Sequence, residues 1–258
     1  MKANKILRLR NTKHLFEILI VLLTAILMFS SVMLWRDFSD MKKSEDDFAA
    51  LEKIAEITVS SSDEPSNKSS RNISALTKKN GDCVGWISIP DTAVNYPVMH
   101  TPRQPQKYLR RNFYGEYSYA GVPFVDARCN LNSTNLMIYG HCMKNGTMFR
   151  AIRKYSGKNF WKTHPYIEFE TVDGCGVYDV FAIVETTTSC DWYNFINADS
   201  REEFDRAVKS IKSKSIYDTG ITPKYGDCLL TLSTCYGSSK DGRFLVIAMM
   251  EAKEFATV

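Results

Sequence analysis

The stretch Leu229 to Met250 reads LLTLSTCYGSSKDGRFLVIAMM. An apolar run ends in Cys235, a polar loop follows, and Arg243 opens a second apolar run. A thiol at such an end can attack an acyl carbon, but only as the thiolate. A free cysteine titrates at about 8.5, so few such groups are charged near neutrality without a base or cation nearby. The usual partner is a histidine, and four are present. His14 lies ahead of the long N-terminal apolar run. His164, in WKTHPYIEF, precedes a proline and reads as a loop histidine. His100 follows YPVM, ahead of a proline-containing loop, with nothing further to recommend it. His141 ends NLMIYGH directly after Gly140, and a glycine there marks bent backbone or a close approach. That gives His141 a modest edge. The plainer alternatives are a buried structural thiol and a solvated strand-end arginine. Spacing alone does not choose between these and a Cys–His–Arg site.

These residues sit on a β-rich scaffold. From about Asn80, eight short runs alternate with turn residues: CVGWISIP, VNYPVM, GVPFVDA, NLMIYGH, YIEFETV, GVYDVFAIVETTT, LLTLSTC and RFLVIAMME. Such spacing predicts an all-β sandwich or closed barrel. Two helices are expected within it. In GTMFRAIRKYS, Met148, Ala151, Ile152 and Tyr155 share a face. In SREEFDRAVKSIKS, Ser200 and Glu203 form a capping box, and Phe204, Ala207, Val208 and Ile211 make the buried stripe. The second helix is an insertion between the sixth and seventh runs.

The N-terminus carries a different signal. Ile18 to Trp35 holds eighteen residues without a charge, a helical rise of roughly 27 Å that matches a bilayer's hydrocarbon core. Lys2, Lys5, Arg8, Arg10 and Lys13 precede it, which places the N-terminus in the cytoplasm and the remainder outside. A cleaved signal peptide is the rival, but its apolar core is usually shorter and VMLWRDF has no small-x-small site. The expected organisation is a cytoplasmic basic segment (1–14), a transmembrane anchor (15–35), a helical stalk and Ser-rich linker (36–79), and an external catalytic domain (80–258). Phe38, Met41, Phe48, Leu51 and Ala55 form one stripe, which suits either a stalk or a helix packed on the domain.

Composition narrows the function. The 258 residues are 44% hydrophobic with a net charge of +4, and no basic stripe interleaved with aromatics argues for nucleic acid. Seven cysteines without a CxxC leave at least one unpaired within the chain and do not suggest a structural metal. No cofactor is expected.

The ordered set NGDCVGWISIP with NYPVM, NFYGEYSYAGVPFVDAR, IYGHCMKNGTMF, and TLSTC with an arginine eight residues later resembles the sortases, in detail their class B branch. The similarity covers roughly Asn80 to Glu251, and the helix between the sixth and seventh strands resembles a class B trait. The resemblance implies an eight-stranded sortase-type β-barrel with added helices behind a single transmembrane helix. It implies a membrane-anchored cysteine transpeptidase of Gram-positive type, single-pass in the cell membrane. Such an enzyme cuts secreted proteins at a C-terminal LPxTG- or NPxTN-like motif, holds the new end as a thioester, and passes it to an amine of a peptidoglycan precursor or pilin. By motif, Cys235 is the nucleophile, His141 the acid/base, Arg243 the oxyanion and substrate holder, and Ser233 a substrate contact.

Other readings fit less well. L,D-transpeptidases resemble SHGC, with histidine two residues before cysteine, a motif not found here. Papain-like peptidases and cell-wall amidases place a helix-start cysteine before the histidine, the reverse of this order. A non-catalytic surface-binding β module would bury Cys235. Cys142, beside His141, is expected to point to the opposite face from it.

Overall fold

The computed structural model describes residues 2–56 and 71–251. Each of the eight apolar runs contributes a strand. They are β1 (Cys83–Ser88), β2 (Asn95–Met99), β3 (Phe124–Val125), β4 (Asn135–Tyr139), β5 (Tyr166–Thr171), β6 (Gly174–Thr187), β7 (Cys228–Cys235) and β8 (Gly242–Met250). They close into a barrel in the order β1-β2-β3-β4-β7-β8-β6-β5, with β5 returning to β1. The β2–β3 and β4–β7 pairs are parallel, and the others are antiparallel.

β7 is buried on both faces up to Thr234, and Cys235 is its first exposed residue after Cys228. One face carries Leu230 and Leu232, paired across with Ala248 and Val246. The other carries Thr231 and Ser233. Burying two hydroxyls requires partners, and the β6–β7 connection supplies them. Its 3-10 turn Asp191–Asn194 places Trp192 Nε1 3.0 Å from Thr231 Oγ1 and Tyr193 Oη 2.8 Å from Ser233 Oγ. The same connection holds the inserted helix. Ser200 Oγ accepts from Glu203 N at 3.2 Å, and Phe204, Val208 and Ile211 are buried.

The helix expected over GTMFRAIRKYS differs. Met148 has φ +56° and bridges Cys142, so helical geometry cannot begin there. A 3-10 helix spans Ala151–Ser156 instead, followed by a short α-helix, Lys158–Thr163. The four apolar residues of the proposed face are nevertheless all buried.

The chain divides at Glu45. Helix α1 (Lys2–Ala55) supplies the first unit and the start of the second. Its stretch from Phe16 to Trp35 is exposed and long enough to cross a membrane, and an 18-residue window of the helix has a mean hydropathy of 2.6 with none of it buried. In the second unit, Leu51 and Ala55 share an apolar cluster with Ile73 and Leu76 of α2 (Ile73–Lys79), and with Trp86, Tyr108 and Phe113. Glu52 Oε1 accepts from Asn95 Nδ2 at 2.6 Å, and Arg71 pairs with buried Glu170. This part of the expected stalk therefore packs on the barrel. Of the expected Ser-rich linker, residues 60–70 lie outside the described residues, as do residues 252–258 of the expected catalytic domain.

Candidate active site

Three adjacent strands, β4, β7 and β8, present the sequence-predicted residues at one barrel edge. Cys235 and Arg243 are direct cross-strand partners. β4 runs parallel to β7, with Tyr139 level with Ser233. The pairing continues past β4, because Gly140 N donates to Ser233 O at 3.1 Å and Thr234 Oγ1 donates to Gly140 O at 2.7 Å. His141 follows Gly140 just past the end of β4, as Cys235 follows Thr234 at the end of β7.

Glycines permit both approaches. A Cβ on Gly140 would lie 2.6 Å from the Phe149 ring. In the β7–β8 turn, Gly237 adopts φ +71°, and a Cβ on Gly242 would meet Tyr236 O at 2.0 Å.

His141 is half-buried, and its Nε2 lies 2.9 Å from Leu109 O. A carbonyl only accepts, so Nε2 carries the proton and Nδ1 is left as the basic nitrogen of the neutral ring. Leu109 belongs to the 3-10 turn Lys107–Arg110. Burial holds the imidazole below its usual range, the Leu109 carbonyl opposes that, and the nearby Arg110 charge adds to it. On the other side, Phe149 N donates to His141 O at 2.8 Å.

Arg243 is half-buried. Its Nη1 donates to Lys240 O at 3.0 Å and Gly242 O at 2.8 Å, which turns one edge of the guanidinium inward. Nε and Nη2 make no hydrogen bond among the described residues. Burial pushes the Tyr193 phenol up to about 12, opposed by its hydrogen bond with Ser233 and the nearby Arg243 charge. Tyr193 also stacks on Tyr139, with centroids 6.3 Å apart and an interplanar angle of 14°. Tyr139 donates to Asp126 Oδ2 at 2.8 Å. Arg128 forks onto Asp126 at 2.9 and 2.7 Å and donates to Tyr193 O at 2.8 Å. This outer layer braces the two strands just before His141 and Cys235. Tyr193 gives no sequence signal because it lies outside every strand. Asp126 and Arg128 fall in the VDAR stretch, but their pairing needs the fold.

The remaining candidates fall elsewhere. Ser233 is 1% exposed and its hydroxyl meets Tyr193. His164 stacks on Phe160 at 4.0 Å and bonds locally. All seven cysteines are free. Burial raises Cys129 and Cys228, and pushes Cys83 and Cys175 up to about 11. Cys142 Sγ faces Arg150 Nη1 at 3.6 Å and Arg153 Nη1 at 3.9 Å. No group of three metal-ligating side chains occurs among the described residues.

The closed eight-stranded barrel matches a family of cysteine transpeptidases. The sortase-domain family model matches residues 87–251, and the chain belongs to the sortase family, whose members are cysteine transpeptidases acting on sorting-motif substrates. It is 37% identical to sortase B of Listeria monocytogenes over 188 residues, covering 69% of this chain and 73% of that protein. Among solved structures, sortase B from B. anthracis in complex with AAEK1 matches with a TM-score of 0.72 and 30% identity, over 84% of this chain and all of that one. A Staphylococcus aureus sortase B–substrate complex matches with a TM-score of 0.73 and 26% identity, over 83% and 99%.

Proposed function

We propose that Cys235, His141 and Arg243 are the catalytic residues of this transpeptidase, and that it joins secreted proteins bearing an LPxTG- or NPxTN-like C-terminal motif to a cell-wall or pilin amine. The observation that carries this reading is the cross-strand pairing of Cys235 with Arg243, beside the end of β4 that leads into His141. His141 Nδ1 takes the thiol proton as Cys235 Sγ attacks the scissile carbonyl, then gives it to the departing amine. The peptide C–N bond breaks and a thioester remains. An incoming amine attacks that thioester, His141 accepts its proton, and the thiol is restored as an amide forms. The free edge of Arg243 holds the carbonyl oxygen as it gains charge. A thioester conserves the acyl energy, so no nucleotide is consumed.

Ser233 takes part as a substrate contact in this reading only where substrate displaces the Tyr193 hydroxyl from it. The exposed apolar part of α1 supports a membrane anchor, with the basic N-terminus inside and the barrel outside. Protease added to intact protoplasts should digest the barrel, and protection until lysis would reverse the orientation. The catalytic reading is tested by incubating the full chain with a peptide library and a glycine amine. Cleavage after the motif threonine with amide formation is expected, and a Cys235→Ala protein that still cleaves would refute it.

A further inference from the structure

The 3-10 turn whose Leu109 carbonyl tethers His141 also lines a cleft of about 660 Å³, with Gln104, Gln106, Lys107, Arg110, Arg111 and Tyr117 around it. Its cations are unequal. Lys107 is matched by Asp82 at 2.6 Å. Arg110 and Arg111 meet no carboxylate among the described residues and are exposed. Each is instead aimed by backbone. Arg110 Nη1 donates to Tyr119 O at 2.8 Å, with the guanidinium 4.4 Å from the Tyr119 ring centroid, and Arg111 Nη1 donates to Gly115 O at 2.6 Å. A bridge between Arg111 and Tyr117 closes the loop. The loop's carboxylate, Glu116, accepts from Asn112 Nδ2 at 3.2 Å. The turn itself is fixed by Tyr108, which is 1% exposed and donates to Asp82 Oδ2 at 2.8 Å.

Two oriented guanidiniums with donors to spare suit an oxyanion, phosphate above all. The cleft volume exceeds what one carboxylate fills and lies in the range of ligand sites. The same turn holds His141 through Leu109 O, and the Arg110 charge acts on the imidazole, which links the cleft to the base that deprotonates the incoming amine. We infer that this cleft binds a phosphate-bearing part of the amine acceptor and so guides the amine to His141. This inference rests on the transpeptidase reading above.

The full chain in detergent micelles provides the test, in three arms. First, inorganic pyrophosphate is titrated against wild type and Arg111→Glu by calorimetry, a measurement that needs no catalysis. Wild type should bind, more weakly as salt rises, and the variant should lose at least tenfold in affinity. No binding by wild type at millimolar pyrophosphate overturns the inference, whatever the enzyme does. Second, acyl transfer is compared between triglycine and triglycine carrying a C-terminal phosphate monoester. Wild type should show an acceptor KM about tenfold lower for the phosphorylated amine. Arg111→Glu should erase that gap, Arg111→Lys should restore part of it, and both should form thioester and use triglycine within twofold of wild type. Equal KM values for the two acceptors in wild type overturn the inference. Loss of thioester formation in wild type strikes the transpeptidase reading instead and leaves the first arm standing. Third, vesicles with and without phosphatidylglycerol distinguish an acceptor from a membrane headgroup. A variant that loses only vesicle binding, with its acceptor preference intact, overturns the assignment to the acceptor.

Discussion

Cys235 ends β7 and His141 follows the end of the neighbouring parallel strand β4, yet they are held in different ways. Cys235 and its partner Arg243 sit within a complete ladder between β7 and β8. His141 lies beyond the end of β4, and its ring is oriented by Leu109 O in a turn far away in sequence. The thiol and the guanidinium are placed by strand register, whereas the imidazole is placed by tertiary contact. Local changes near Cys235 should therefore alter chemistry without moving the site. Changes in the turn that carries Leu109 should act through His141 alone.

The largest effects come from deleting the groups themselves. Cys235→Ala should abolish cleavage and transfer and leave the fold intact by circular dichroism. Arg243→Ala and Arg243→Lys should each lose about 10²–10³ in rate, mostly in kcat, because the interaction strengthens in the transition state and lysine lacks the planar fork. Turnover of both within a few-fold of wild type would reduce the constellation to Cys235 and His141.

The comparison itself is tested at Gly121. It has φ +63°, and a Cβ there would come within 2.5 Å of Tyr108 O and 2.6 Å of Leu109 O. Gly121→Ala should displace the Leu109 carbonyl and free the His141 ring. A loss of about tenfold in kcat is expected, the order of one hydrogen bond, with alkylation of Cys235 still reaching completion. A variant with lowered melting temperature and unchanged kcat would show that the tether does not matter.

The pH profile gives a smaller effect. Burial, with help from Arg110, holds His141 below the usual histidine range. The imidazole stays neutral, and so able to take the thiol proton, to lower pH than a free one. The acid limb of kcat/KM should thus lie below about 6.5. Arg110→Gln removes a like charge, favours the protonated ring and should move that limb upward. A limb that stays put or moves down contradicts the assignment. Ser233→Ala is expected to cost least, a few-fold in KM, because its hydroxyl meets substrate only after Tyr193 yields.

Much of this was legible in the sequence. Eight runs of strand residues bounded by turn signals gave the barrel's strands, and the capping box of Ser200 and Glu203 gave the inserted helix. Gly140 marked the close approach just before His141. What escaped depends on contacts between distant segments. The turn Lys107–Arg110 has no periodicity to reveal it, and a backbone carbonyl such as Leu109 O has no side-chain signature. Tyr193 becomes notable only once Tyr139 and Ser233 lie side by side. Met148 fell on an apolar helical face by spacing, but it adopts a left-handed backbone where it bridges Cys142.

The central claim concerns which of seven thiols carries the acyl group. The full chain should be mixed with a sorting peptide without amine, quenched in acid, and its intact mass and peptide map recorded. The account predicts one adduct with the mass of the acyl fragment, removed by hydroxylamine and mapped to Cys235. An adduct on Cys142 or another cysteine, or steady cleavage with no adduct in wild type and continued cleavage in Cys235→Ala, would contradict it.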